Sequence, residues 1–159
     1  MHIDHVGLNV ANLEAQVEWY SKVFGFKTAR AFEVPPIGLR GIFLVDDHGF
    51  AIELLEKQGS SRNFKANNVA EGALNHGFGH LCYRVDDVAA MNEKLLAHGA
   101  VQIMPVQESP EPGVTMAYVA DPEGNLIEII DRKGKVASRI SGVVTVASLT
   151  TLIEEVRAE

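Results

Sequence analysis

The sequence predicts an α+β protein built from two βαβββ modules in tandem, which together form a curved mixed sheet around a central cavity. Two observations support this prediction. Similar segments recur 75 residues apart, so that His5 matches His80 and Glu53 matches Glu128. Alternating and helical patterns of hydrophobic residues also follow one another in the same order in both halves. A period of this length exceeds that of a solenoid unit and fits a duplicated half-domain.

The first module is expected over about residues 1–56. Its first strand, His2–Val10, alternates between apolar and polar residues, and the following helix begins at the N-cap residue Asn12 and ends at Gly25. Three further strands are predicted at Phe26–Val34, Leu39–Asp46 and Phe50–Glu56. A tight turn joins the last two strands as a hairpin.

The connector, residues 57–77, is polar and is expected to contain one helical turn near Val69–Leu74. The second module then repeats the plan over about residues 78–131. Its predicted elements are the strand Gly79–Val85, a helix from Asp87 to Gly99, and the strands Val101–Gln107, Val114–Ala120 and Asn125–Asp131. The C-terminal tail, residues 132–159, is predicted to contain a short helix and to serve packing or dimer formation.

Composition narrows the class of partner. The chain has 159 residues, 47% of them hydrophobic and 22% charged, which suits one compact globular unit with a substantial core. Its net charge of −7 and the lack of a basic run argue against nucleic acid and membrane surfaces as partners. The single cysteine, Cys82, excludes an intrachain disulfide and a Cys-based zinc site. With no signal-peptide pattern at the N-terminus, a cytoplasmic location is expected.

Strand alternation places the recurring His and Glu on one face in each half. His5 points with Gly7 and Asn9, whereas the alternate residues should pack beneath the helix. The same argument applies to Glu53, His80 and Glu128. If the halves pair about a pseudo-twofold axis, these four converge on an N₂O₂ set that suits Ni²⁺, Co²⁺, Mn²⁺ or Zn²⁺. The alternative is that duplication copied ordinary structural residues.

This pattern resembles the vicinal oxygen chelate superfamily, which includes glyoxalase I, methylmalonyl-CoA epimerase, extradiol dioxygenases and metallothiol resistance enzymes. The resemblance covers about residues 1–131. GFGH and DPEGNLIE, which contain His80 and Glu128, look like the second half of glyoxalase I. His5, Glu53, His80 and Glu128 fall on the ligand positions of that enzyme. Dioxygenases and thiol transferases use two His and one Glu, so the carboxylate at position 53 favours the glyoxalase I type.

The resemblance implies a metal-dependent lyase or isomerase that transfers a proton through a metal-stabilised enediolate. Glu128 is the first choice for the catalytic base, and Glu53 could share or replace that role. Substrate contacts are expected at Asn9 and His76, which stand where glyoxalase I enzymes hold glutathione with basic residues. Because Asn9 is not basic, the use of glutathione by this chain stays open. Arg84, on the predicted face of His80, is a further candidate for binding an anionic group or for a salt bridge at the strand edge.

Two alternatives to this function stay open. One is an epimerase for an acyl thioester or keto acid, whose two carboxylates would act from opposite faces. The other is a metal-free drug-binding resistance protein, which has no need of the complete ligand set. The expected partners are a small-molecule substrate and a second copy of the chain in a homodimer. Pairing of the modules within one chain or between two chains is equally open.

Overall fold

The computed structural model describes residues 3–62, 65–74 and 76–133. Two βαβββ units follow one another, as predicted. The elements are β1 (His5–Val10), α1 (Leu13–Phe24), β2 (Lys27–Val34), β3 (Leu39–Val45), β4 (Ala51–Lys57), α2 (Val69–Gly72), β5 (Leu81–Arg84), α3 (Val88–Ala97), β6 (Val101–Glu108), β7 (Thr115–Ala120) and β8 (Leu126–Asp131). A 3₁₀ turn covers Pro35–Ile37. The helix expected in the tail lies outside the described residues.

Each module forms a four-stranded mixed sheet, and the two sheets have the same topology. The strand orders are β1-β4-β3-β2 and β5-β8-β7-β6. In both, the first and last strands of the module pair in parallel, and the remaining pairs are antiparallel. The register repeats as well, because Gly7 is the Cα partner of Glu53 and Cys82 is the Cα partner of Glu128.

Helix α1 begins and ends where its capping residues predict. The side chain of Asn12 accepts a hydrogen bond from the Ala15 amide at 3.0 Å, which satisfies one of the free donors at the helix start. Gly25 ends the helix with φ of 79°, a left-handed conformation that other residues adopt at a cost. Helix α3 begins in the same way, with Asp87 capping the Ala90 amide.

One hydrophobic core joins the two modules. From the sheets it receives Leu44, Ile52, Leu54, Ala117, Val119, Ile127 and Ile129, and both helices contribute to the same cluster. Phe24 stacks on Tyr83 with ring centroids 4.2 Å apart, and Trp19 Nε1 donates to the carbonyl of His98 at 2.9 Å. Because strand residues alternate in direction, Glu53 and Glu128 lie on the sheet faces turned away from this core.

Most strand limits differ from the predicted ones by one or two residues, and one difference affects the site. β5 begins at Leu81, two residues later than predicted, so His80 lies immediately before the strand rather than within it. Among the strands of the described residues, β5 pairs only with β8. Its first Cα partner is Ile127, one residue after β8 begins. The chain approaches this point through Gly77. Its positive φ of 135° is a backbone conformation that residues other than glycine rarely adopt. Within the described ranges, no helix has the length and hydrophobicity needed to cross a lipid bilayer.

Candidate metal centre

The first module places His5 beside Glu53. His5 Nε2 lies 3.4 Å from Glu53 Oε2, and the two side chains are 33% and 17% exposed. They meet because β1 and β4 are neighbouring parallel strands and both side chains point away from the helix. The ring of Phe43 on β3 stands edge-on to His5, with centroids 5.1 Å apart. An imidazole and a carboxylate therefore form a partly exposed pair.

Asp4 orients the His5 ring. Its Oδ1 lies 2.7 Å from His5 Nδ1, which leaves Nε2 directed at Glu53. The hydrogen bond to Asp4 raises the pKa of His5, the charge of Glu53 adds to this, and desolvation opposes both. A carboxylate on the second ring nitrogen is the arrangement that commonly fixes the tautomer of a metal-binding histidine. Sequence alternation did not reveal Asp4, since it lies outside the predicted site face.

The second module places His80 beside Glu128. His80 Nε2 lies 3.1 Å from Glu128 Oε2, and the two side chains are 37% and 12% exposed. Tyr118 on β7 stands edge-on to His80 with centroids 5.1 Å apart, as Phe43 does to His5 in the first module. Its hydroxyl lies 3.4 Å from His80 Nε2. The two modules thus carry the same pair beside an aromatic ring, but the second adds a hydroxyl and has Gly79 at the position of Asp4.

Two neutral donors flank Glu128. Burial raises the pKa of the Tyr118 phenol, and the charge of Glu128 and a hydrogen bond to it raise it further. Burial likewise raises the pKa of the Cys82 thiol to about 12, again with help from a hydrogen bond to Glu128. Both groups therefore keep their protons at neutral pH and can donate them to the carboxylate. The sequence pattern predicts a role for neither residue.

The four predicted ligands form two pairs within one chain. Residues 3–62, 65–74 and 76–133 contain no group of three or more His, Cys, Asp or Glu side chains placed to hold one metal ion. The physical reason is the shared core: both modules turn their helix-bearing faces toward it, so that the paired residues lie on the opposite faces. The described residues therefore contain two separate pairs, His5 with Glu53 and His80 with Glu128, and each pair is called a half-site below.

The predicted substrate contacts are all exposed, and they lie at different places. Asn9, on the strand face of His5, lines a cleft of about 440 Å³ together with Ser60, Ser61 and Arg62. His76 lies in the connector before β5, and Arg84 lies on the same strand face as Cys82. Asn9 thus lines this cleft, whereas His76 and Arg84 are not among its lining residues.

Arg62 is a candidate that the sequence analysis missed. It lines the Asn9 cleft and also a second cleft of about 270 Å³ that contains His80 and Phe78. Its guanidinium donates to Asn125 Oδ1 at 2.8 Å and to the Gly124 carbonyl at 3.3 Å, which anchors it against the second module. The polar connector carries no hydrophobic periodicity, so no pattern could predict where this side chain points.

Comparison with known proteins agrees with this architecture. A sequence model of the Glyoxalase/Bleomycin resistance protein/Dioxygenase superfamily matches residues 2–129. A probable lactoylglutathione lyase of Vibrio cholerae is 30% identical over 136 residues, covering 81% of this chain and 89% of that protein. A lactoylglutathione lyase of Arabidopsis thaliana is 30% identical over 135 residues, covering 80% of this chain; the chain spans only 43% of that longer relative.

A solved structure extends the comparison to the fold. A glyoxylase/bleomycin resistance protein/dioxygenase domain from Frankia sp. EAN1pec superposes with a TM-score of 0.68 at 22% identity, covering 85% of this chain and 95% of that one. At 22% identity, this similarity shows the fold alone. The match to the family model is separate, and it covers both modules and the two His–Glu pairs. The chain therefore belongs to the glyoxalase/bleomycin resistance protein/dioxygenase superfamily.

Proposed function

We propose that this protein is a metal-dependent lyase of the lactoylglutathione lyase type. The observation that carries the proposal is the pair of half-sites, each an imidazole nitrogen 3.1–3.4 Å from a carboxylate oxygen, repeated in register in the two modules. The names of relatives that are about 30% identical support the reaction type. Their activity is a property of those proteins, and its transfer to this chain is part of the proposal.

The donor set fits a divalent cation such as Ni²⁺, Co²⁺, Zn²⁺ or Mn²⁺. Two imidazole nitrogens and two carboxylates are ligands that borderline metals accept. Asp4 already occupies the other nitrogen of His5, so its Nε2 is the one available as a ligand. We assign His5, Glu53, His80 and Glu128 as the ligands. A bound cation would supply Lewis-acid stabilisation for negative charge on two neighbouring substrate oxygens.

The protein's own carboxylates would perform the proton transfer. Glu128 is the first choice for the base, since its side chain is the less exposed of the two at 12% and is therefore better shielded from water. It would take a proton from the carbon beside the carbonyl and return it to the neighbouring carbon. Glu53 is the second candidate for this step. Two carboxylates on opposite sides of a substrate could divide the removal and the return between them.

Completion of the site requires a second copy of the chain. The two half-sites of one chain lie on sheet faces turned away from the shared core, and in the described residues they do not meet. We infer a homodimer in which the first module of one protomer faces the second module of its partner. Each dimer then has two complete sites, as twofold symmetry requires.

Cationic and amide groups near the half-sites favour a small anionic substrate. Arg62 lines both clefts, and Asn9 lies at the larger one. A guanidinium is well suited to bind a carboxylate in two parallel hydrogen bonds. Arg84 and His76, which are both exposed, stay candidates for the same purpose. We propose that these side chains hold the acidic groups of a thiol conjugate such as the one formed from methylglyoxal and glutathione.

Metal analysis combined with a lyase assay tests the proposal. Purified protein should bind a divalent metal and convert methylglyoxal plus glutathione, and chelation should abolish the activity. His5→Ala and His80→Ala should each lower kcat/KM by at least about a hundredfold, because loss of a ligand removes the metal. His48→Ala is the matched control, since His48 is exposed in the turn before β4. Protein that binds no divalent metal would contradict the proposal.

The epimerase alternative is separated by a second assay. An epimerase would exchange the α-proton of an acyl thioester with deuterium from the solvent, without needing glutathione. Two carboxylates in the ligand set are compatible with that reaction as well. If the protein exchanges the α-proton of thioesters with deuterium but does not convert the methylglyoxal adduct, the epimerase function is favoured over the lyase function.

A further inference from the structure

The neighbours of Glu53 and Glu128 differ although the two sheets are copies of one plan. Glu53 has Gly7 and Phe43 as its Cα partners on the adjacent strands, and neither of these side chains can donate a hydrogen bond. The corresponding partners of Glu128 are Cys82 and Tyr118, and both can donate. Each of these two residues lies 75 positions after its counterpart. Glu128 therefore has a residue with a hydrogen-bond donor on each neighbouring strand, whereas Glu53 has none at these two positions.

The aromatic rings show that the difference is chemical rather than steric. Phe43 and Tyr118 stand edge-on to their histidines with the same centroid distance, 5.1 Å, and with interplanar angles of 87° and 77°. The second module adds a hydroxyl that lies 3.4 Å from His80 Nε2, and this nitrogen in turn lies 3.1 Å from Glu128 Oε2. Tyr118 is only 8% exposed, so this hydroxyl has little competition from water.

Donors on a carboxylate restrict how it can turn. A free Glu carboxylate rotates about its last torsion with little preference, whereas hydrogen bonds to it select one orientation. Glu53 has Gly7 on one side, where even an added Cβ would approach Glu53 Oε2 no closer than 3.6 Å. Glu53 therefore has room to move on the side of Gly7. At the corresponding position of the second module, Glu128 has Cys82 as its neighbour.

We propose that Tyr118 is a positioning residue, assisted by Cys82, that fixes the orientation of Glu128 and so makes the two half-sites unequal: Glu128 is the held carboxylate and Glu53 the mobile one. This inference rests on the proposed function for its effect on catalysis. Its effect on metal affinity is independent of the substrate. Loss of a hydrogen bond to a metal ligand typically weakens metal binding or activity by about 10–100-fold.

The experiment removes the hydroxyl and keeps the ring. Tyr118→Phe reproduces the residue that the first module already uses at this position. Isothermal titration with Zn²⁺ should show a Kd about tenfold higher than that of the parent protein. In the lyase assay kcat should fall by about tenfold while KM changes by less than about twofold, because orientation of the base matters after binding. Cys82→Ala should cause a smaller change in the same direction, since a thiol is a weak donor.

Tyr83→Phe is the matched control. Tyr83 neighbours Cys82 on β5 but faces the core, where its hydroxyl is buried without a hydrogen-bond partner in the described residues. Removal of this hydroxyl should leave the Zn²⁺ affinity and kcat unchanged. The thermal midpoints of the metal-free proteins should show that the variants are folded. Equal losses in Tyr83→Phe and Tyr118→Phe would overturn the inference, because they would reflect stability rather than position.

The outcomes also separate this inference from the proposed function. If the parent protein binds Zn²⁺ but converts no methylglyoxal adduct, the proposed function fails, and a tenfold Kd ratio still supports the role of Tyr118. If the parent is an active lyase and Tyr118→Phe retains its Kd and kcat, the role of Tyr118 fails and the function stands. A parent protein without affinity for Zn²⁺ overturns both.

Discussion

At the scale of single residues, Asp121 shows how one position of a repeat can acquire a new partner. Its side chain is buried, with 1% exposure, and it accepts hydrogen bonds from the Glu123 and Asn125 amides, the Asn125 side chain and the Tyr20 hydroxyl. Its counterpart Asp46 accepts from two amides of its own turn. Asp121 therefore combines a local turn with a bond to helix α1 of the other module.

Replacement of Asp121 should be costly. Asp121→Ala leaves the Tyr20 hydroxyl and the Asn125 side chain without their acceptor, and each unsatisfied buried group costs about 1–3 kcal/mol. We expect the free energy of unfolding, measured in urea, to fall by about 3 kcal/mol. Asp46→Ala is the matched control, and it should lose about 1 kcal/mol because only the turn is affected. Equal losses for the two variants would show that the bond to Tyr20 contributes nothing.

The sequence could predict which His and Glu residues share a sheet face in each module, but not the surroundings of these residues. The repeat and strand alternation identify His5, Glu53, His80 and Glu128, because both depend only on chain position. Neither the repeat nor strand alternation identifies Asp4, Tyr118 or Arg62. Their roles depend on which side chain of a neighbouring strand or loop comes within 3–4 Å, and that is set by sheet register and by the path of an aperiodic connector.

At the scale of elements, the start of helix α1 is a contact between the modules, in which backbone amides bind a carboxylate of the second module. Glu123, from the turn of the second module, accepts from the Ala11 and Asn12 amides at 2.7 and 2.9 Å. Glu56 accepts from the Leu13 amide at 2.9 Å, and Arg40 in turn pairs with Glu56 and Glu14. Carboxylates at a helix N-terminus satisfy its free amides and interact favourably with the helix dipole.

Loss of the Glu123 carboxylate should therefore destabilise α1 and the contact between modules together. Glu123→Ala should lower the free energy of unfolding by about 1–2 kcal/mol, the size of a lost N-terminal cap. Glu123→Gln keeps one acceptor and should lose less. Glu18→Ala is the control, as Glu18 is exposed on the same helix away from its start. Amide hydrogen exchange should locate the Glu123→Ala effect at the first turn of α1, and no faster exchange there would refute the assignment.

Apart from β1, which begins at His5 rather than at His2, the limits of the elements were predictable to within about two residues, because caps and turns are local. Asn12, Gly25 and Asp87 each mark a helix end by their own conformation or side chain. The start of β5 was not predictable in this way. It depends on where the edge strand begins to pair with β8, and that is a contact between residues 46 positions apart.

At the scale of the whole molecule, the packing of the modules decides how a site can be assembled. Both sheets contribute their helix-covered faces to one core, so that the described parts of the two modules share a hydrophobic interior. As a consequence, the described residues of the same chain do not cover the opposite sheet faces. One of these faces carries His5 and Glu53, and the other carries His80 and Glu128.

The sequence could predict which residues lie on these faces, since this follows from strand alternation. It could not predict pairing within or between chains, since both use the same connector at nearly equal entropic cost.

Mixing of two inactive variants tests the pairing between chains. One variant, His5→Ala/Glu53→Ala, lacks the first half-site, and the other, His80→Ala/Glu128→Ala, lacks the second. After denaturation and refolding as an equimolar mixture, half of the dimers should contain one chain of each kind, and each of these has one intact site out of two. We therefore expect about a quarter of the wild-type lyase activity and of the wild-type Zn²⁺ binding capacity. Each variant refolded alone should stay inactive. A mixture that forms dimers and regains nothing would show that every site is built within one chain, or from two copies of the same module.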